Sequence, residues 1–159
     1  MSKLREKAID GFREGESFSI SRTFTEEDTI AFADITRDYN PVHFDDRFAK
    51  AKGLKGRVCH GLLIGSMITE FGGQVGFLAY DFKFTFKRPV YFGDTVTCTM
   101  TMSKIDENGW AKARAVLVNQ DDKVVLEFEG SGIPPGVEER KILADMVAEG
   151  DPTNKLRDD

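Results

Sequence analysis

Asp38-Tyr39-Asn40-Pro41-Val42-His43 and, after a basic loop, His60-Gly61-Leu62-Leu63-Ile64-Gly65-Ser66 enclose the stretch around which this chain is organised. The first run closes a helical pattern. Pro41 has no backbone N–H and drives Asn40 out of the α region, so a helix arriving from Thr25 has to stop before it. The break leaves Asp38 at the end of one element and His43 beyond a turn. The second run opens a helix at Gly61 that is apolar almost all round through Phe71, the pattern of a helix buried on most sides. Gly65 lets another backbone or a ligand approach it closely, and Gly72, Gly73 and Gly76 end it. A carboxylate, an imidazole and a helix N-terminus are together the parts of an acid–base site with an oxyanion hole.

Upstream, Glu16 to Phe24 alternates, with Phe18, Ile20, Arg22 and Phe24 on one side and Ser17, Ser19, Ser21 and Thr23 on the other, and reads as a strand. Thr25 followed by Glu26, Glu27 and Asp28 is a capped helix start, with Ile30, Phe32, Ala33 and Ile35 as its buried face. Phe44 to Ala51 reads as a second short helix, capped by Asp45 or Asp46, with Phe48 facing inward. Downstream of the central helix the period falls from 3.6 to 2. Phe82, Phe84 and Phe86 share one face, and after the Gly93-Asp94 turn Val96, Cys98, Met100 and Met102 share another. Asn108-Gly109 is a hairpin turn. Trp110 to Val118 and Val124 to Gly132 complete four successive strands, expected as an antiparallel meander. The only element apolar enough to cover that sheet is the Gly61 helix. The fold class is therefore α+β, a curved antiparallel sheet wrapped around a long central helix. Residues 1–15 form a charged leader with a short helix ending at Gly11, 16–132 the domain, and 133–159 a charged extension. The extension carries a short amphipathic helix over 140–149, using Ile142, Leu143, Met146 and Val147, and is polar and mobile from Gly150 onward.

With 159 residues and a net charge of −5, the chain suits one domain and not a general nucleic-acid binder. Cys59 and Cys98 lie far apart without metal or disulfide spacing and read as free thiols in a reducing compartment. The N-terminus is too charged for a signal peptide, and the longest apolar run carries Glu70 and Gln74, so no membrane span and a cytoplasmic location are expected. Thirteen phenylalanines suggest either a Phe-rich core or a tunnel lined by non-polar rings. Asp38, His43, Asp45 and His60 fit no metal-ligand spacing, so neither metal nor cofactor is expected. Lys50, Lys52, Lys55 and Arg57 form either a solvated surface or a landing strip for the phosphates of a nucleotide-bearing substrate. His60 reads as a turn residue, or one standing behind the site, that supports Gly61. Ser66 and Thr69 read as helix-face contacts with no base placed to make them nucleophiles.

Asp38 to His43, His60-Gly61-Leu62-Leu63, Arg88-Pro89-Val90 and Gly93-Asp94-Thr95-Val96 together resemble the MaoC-like dehydratase family, and within it the single-domain (R)-specific enoyl-CoA hydratases. The resemblance covers roughly residues 16 to 132. It implies the hot-dog fold and a homodimer whose sheets join edge to edge, with active sites near the interface. It also implies Asp38 and His43 as the catalytic pair, Gly61 as the oxyanion-hole N–H, and Asn40 as a loop residue close to the water. An acyl-CoA substrate would then meet Lys55, Arg57, Ser66 and Thr69. Arg37 departs from the glycine or acidic residue found in many relatives. The implied reaction adds water across a trans-2-enoyl thioester, giving a 3-hydroxyacyl-CoA. Negative charge grows on the thioester oxygen as water attacks Cβ, which is where a helix N-terminus helps; the residues alone leave open whether Asp38 or His43 is the base. Two other readings share the scaffold: a thioesterase using Glu70 on the central helix, and a non-catalytic acyl-thioester-binding subunit.

Overall fold

The computed structural model describes residues 3–151 and 153. The order is α1 (Lys3–Asp10), β1 (Ser17–Thr23), α2 (Glu26–Thr36), a 3₁₀ turn (Pro41–His43), α3 (Asp46–Ala51), α4 (Gly61–Gly65) and α5 (Met67–Val75). Then come β2 (Leu78–Phe86), β3 (Thr95–Ile105), β4 (Ala111–Asn119), β5 (Val124–Ile133) and α6 (Val137–Ala148). One five-stranded antiparallel sheet runs β1-β3-β4-β5-β2. It curves around α4 and α5, the hot-dog arrangement expected for an α+β chain of this pattern.

The expected meander holds only for β3-β4-β5. β2 pairs with β5, with Phe84 opposite Phe128, and lies at the far edge from β3. The reason is the connection. Residues 87–94 carry Pro89, bury Val90, and hydrogen-bond to Cys59 and to Phe24 at the end of β1. The chain is thus drawn across the sheet, and β3 pairs with β1 through Ser19–Thr99 and its neighbours. Four hydroxyl pairs tie the outer faces of these two strands, among them Ser17–Thr101 and Thr23–Thr95 at 2.7 Å.

α4 and α5 are the central helix, bent at Ser66 instead of running straight. The Ser66 hydroxyl donates to the Leu63 carbonyl at 2.6 Å, the type of side-chain bond that bends helices. Ile64, Met67, Ile68, Phe71 and Val75 pack against Val96, Cys98, Met100 and Met102 from β3 and Leu117, Leu126 and Phe128 from β4 and β5.

Three expected faces differ. On α2, Thr29 and Ala33 are buried, whereas Ile30 is half exposed and Ile35 is 83% exposed, because only one side of the helix touches the domain. Ala49, not Phe48, is the inward residue of α3, and Phe48 lies out under Lys52. In α6, Leu143, Met146 and Val147 are half-buried but Ile142 is exposed, and the helix begins at Val137. The N-terminal helix ending before Gly11 forms as expected. The polar end expected from Gly150 falls, past Asp151 and Thr153, outside the described residues. No helix among the described residues is long and apolar enough to cross a membrane.

Candidate functional site

α2 starts on a capping box: the Thr25 hydroxyl accepts from the Asp28 N–H and the Asp28 carboxylate accepts from the Thr25 N–H. It ends at Arg37, which takes the left-handed conformation with φ of 61°. That reversal sends Asp38 back toward the domain. The Asp38 carboxylate accepts from the Asn40 N–H at 3.2 Å, and the Asn40 side chain caps the 3₁₀ turn by accepting from the Val42 N–H. Asn40 is therefore a turn builder, and its exposed side chain is not part of the cavity wall. Pro41 sits at the start of that turn, where a missing N–H costs nothing.

His43 comes off the turn into a buried position, 8% exposed. Its Nδ1 lies 2.8 Å from the Val58 carbonyl oxygen. A carbonyl only accepts, so Nδ1 carries the proton and Nε2 is left bare. Burial pushes the His43 pKa below the ordinary 6.5, and the neighbouring His60 adds to that; the Val58 bond and the Asp38 carboxylate pull the other way. A neutral imidazole with a bare nitrogen is the form a general base needs.

His60 is the residue sequence reasoning undervalued. It is 2% exposed, donates from Nε2 to the Asp38 main-chain carbonyl at 2.8 Å, and stacks on His43 with ring centroids 3.7 Å apart. Spacing along the chain gave no hint of this, because the stack depends on how the loop before α4 folds back over the 3₁₀ turn. Asp38, His43 and His60 bring one carboxylate oxygen and two ring nitrogens within 4.8 Å of one another. As a metal centre the set is poor. A metal must lie in the plane of each imidazole, and two rings stacked at 3.7 Å with planes 30° apart do not aim their lone pairs at one nearby point.

Asp38, His43, His60 and Gly61 line one cavity of about 510 Å³, closed on its other side by Phe86, Lys87 and Arg88. Gly61 is the first residue of α4, and no side chain caps that helix start, so its first N–H groups have no partner within the helix. A side chain at Gly61 would collide with Phe86, the ideal Cβ lying 2.6 Å from the ring. Phe86 covers the Cβ side of Gly61 and itself lines the cavity, which Gly61 still reaches.

The other expected contacts are dispersed. Arg57 is committed to ion pairs with Glu26 and with Asp46 and lies over the Phe92 ring. Its charge ties the loop to α2 and α3. Lys55 donates its backbone N–H to the Tyr91 hydroxyl, and neither residue lines the cavity. The basic side chains that do line it are Lys87 and Arg88, placed there because Pro89 stops β2. That Lys-Arg-Pro run was the available signal. Ser66 lies at the helix bend and lines neither cavity; Thr69 lines a second one.

The second cavity, about 320 Å³, lies further along the helix between α5 and the sheet. Phe71, Phe77, Phe82 and Phe128 make its wall almost wholly apolar. Between the two cavities Gly65 meets the Phe84 ring, 3.1 Å from where a Cβ would sit. Glu70 lines neither.

A five-stranded antiparallel sheet curved around a central helix, with a carboxylate and an imidazole lining a cavity at that helix's N-terminus, is a hot-dog protein with a candidate acid–base site. The MaoC like domain profile matches residues 12–125. The chain belongs to the MaoC-like family. It is 31% identical over 132 residues to an (R)-specific enoyl-CoA hydratase of Rhodospirillum rubrum, covering 80% of this chain and 91% of that one. It is 28% identical over 136 residues to a mitochondrial 3-hydroxyacyl-(acyl-carrier-protein) dehydratase of Arabidopsis thaliana, with 78% of each covered. Among solved structures, the (R)-hydratase from Aeromonas caviae involved in PHA biosynthesis superimposes with a TM-score of 0.74 at 25% identity, over 79% of this chain and 98% of that one.

Proposed function

We propose that this chain reversibly adds water to a trans-2-enoyl thioester, giving the (R)-3-hydroxyacyl thioester, with CoA as the carrier. The observation that carries this reading is that the Asp38 carboxylate and the imidazole of a neutral His43 come within 4.8 Å of each other, at a cavity that also reaches Gly61. A water held between the two gives a proton to one of them as its oxygen bonds to Cβ. The double-bond electrons move onto the thioester oxygen, where the Gly61 N–H and the positive end of the helix dipole stabilise the enolate. The proton then returns to Cα, so the site ends as it began. Lys87 and Arg88 line the cavity, Lys87 with its Nζ 2.9 Å from the Glu127 carboxylate and Arg88 donating to the Val124 carbonyl; the Arg88 guanidinium, with no carboxylate on it among the described residues, offers charge for the carrier's phosphates. Hydratases and dehydratases among the relatives support the reaction class.

β2 leaves its outer edge unpaired at the end of the sheet, with Leu78 and Tyr80 more than two-thirds exposed. Pairing of that edge with a second copy would hide it and bring two sites toward one interface. Cys59 and Cys98 are both free and buried, which suits a reducing compartment such as the cytoplasm. The thioesterase reading has no support in the geometry, because Glu70 faces neither cavity.

Crotonyl-CoA provides the test, followed by loss of the conjugated enoyl absorbance. The wild-type chain hydrates it, and Asp38→Asn and His43→Ala each lower kcat by about 10²–10⁴-fold. Full activity in either variant removes that residue from the chemistry. Free CoA thiol released without enoyl loss moves the chain to the thioesterase class.

A further inference from the structure

His60 carries a polar ring where packing alone does not ask for one. Its ring is enclosed, touching His43, Phe32 and Phe44. A phenylalanine would fill such a place. Instead an imidazole stands there with Nδ1 buried and, among the described residues, without a hydrogen-bond partner. Burying a bare acceptor is unfavourable, so the opposite nitrogen, Nε2, has to be worth it. That nitrogen donates to the Asp38 carbonyl across 22 positions of chain. Asp38 needs such a tie. It follows the left-handed Arg37, its own N–H has only a long 3.4 Å contact to the Thr36 hydroxyl, and its side chain is 51% exposed.

We propose that His60 is a positioning residue of the site: its Nε2–H fixes the Asp38 main chain, and its ring face holds the His43 imidazole in the orientation that leaves Nε2 bare. The name of the reaction rests on the hydratase reading; the geometry does not. Both tautomers are set by main-chain carbonyls, Val58 for His43 and Asp38 for His60.

The chain contains two histidines, so imidazole nitrogen resonances of the unmodified protein report these rings alone. At pH 8 the expected spectrum shows His43 as the Nδ1–H tautomer and His60 as the Nε2–H tautomer. A His60 that averages between tautomers, or carries its proton on Nδ1, overturns the proposal without any activity assay. Kinetics on crotonyl-CoA separate the two tasks. His60→Gln keeps an N–H within reach of the Asp38 carbonyl and holds kcat within about threefold. His60→Phe keeps the ring face, loses the N–H, and lowers kcat by about 10–100-fold with KM little changed. A His60→Phe enzyme with wild-type kcat removes the role. Wild-type protein with the expected tautomers but no enoyl-CoA hydration leaves the positioning intact and defeats the reaction assignment.

Discussion

At its Gly61 end the central helix meets a cavity of about 510 Å³ with a half-exposed carboxylate and two imidazoles. At its Gly76 end α1 and α6 fold over it instead. Leu4 and Ala8 of α1 enter the core, and Arg5 is 3% exposed, with Nη1 3.1 Å from the Asp151 carboxylate and Nη2 3.4 Å from the Gly73 carbonyl. Arg140 of α6 donates to the Asp10 carbonyl, and Leu143 approaches Gly76. At the sealed end charge pairs with charge and holds elements together. At the open end each catalytic candidate is secured by one atom and keeps another bare: His43 through Nδ1, Asp38 through its main chain. One fold thus separates rigidity from reactivity along a single helix, and substitutions at the two ends should fail in different ways.

The largest expected effect is at the sealed end. Asp151→Ala removes the carboxylate that lies 3.1 Å from the buried Arg5 guanidinium, which costs about 3–5 kcal/mol of stability. Urea unfolding monitored by Trp110 fluorescence measures it, and kcat per folded molecule stays at the wild-type value. The double variant Arg5→Met, Asp151→Leu recovers most of the loss, because an apolar pair carries no desolvation penalty. An Asp151→Ala chain as stable as wild type means that the pair does not hold the ends together.

The open end should lose rate before stability. Gly61→Ala forces the Phe86 ring to move, since the added Cβ falls 2.6 Å from it. Phe86 is 54% exposed and can yield outward, so the fold survives while the cavity wall shifts. We expect kcat on crotonyl-CoA to fall about 10²-fold. Gly65→Ala, four residues on, meets Phe84 at 3.1 Å in a tighter setting; it costs about 1–3 kcal/mol of stability and little rate. Equal rate losses in the two variants would mean that the cavities do not divide the labour.

Much of this division was legible in the sequence, and the illegible parts share a cause. The Thr25 cap, the break at Pro41, the start at Gly61 and the alternation of Val96, Cys98, Met100 and Met102 are local signals, and each forms as read. Phe82, Phe84 and Phe86 alternate correctly, yet only Phe84 is half-buried. β2 is an edge strand, and pairing order is set by where residues 87–94 are drawn and not by strand composition. The same holds at the site. Asp38 and His43 flank a turn that the Asn40-Pro41 step dictates, so their proximity could be inferred. His60 reaches them only through the loop before α4, and Lys87 and Arg88 only through β2 crossing to the far edge. Arg57 was read as part of a solvated surface or a substrate contact, and its ion pairs with Glu26 and Asp46 were hidden because those partners are distant in sequence.

The smallest effect contrasts how two helices end. α5 stops at Gly76 with φ of 71°, and α2 stops at Arg37 with φ of 61°. Both are left-handed, but only glycine adopts that conformation without a steric penalty, which for other residues is about 1–2 kcal/mol. Arg37→Gly removes the strain and gives back part of the gain through a more flexible unfolded chain. The net is about 1 kcal/mol or less, a rise of about 2–4 °C in Tm for a domain of this size. Gly76→Ala moves the other way by a similar amount. The informative readout is rate against stability. Arg37 directly precedes Asp38, and a glycine there loosens the turn that presents the carboxylate, so kcat should fall as Tm rises. Backbone strain retained beside a reacting group then has a use. A variant that gains stability with no loss of kcat shows that His60 alone is enough to hold Asp38 in place.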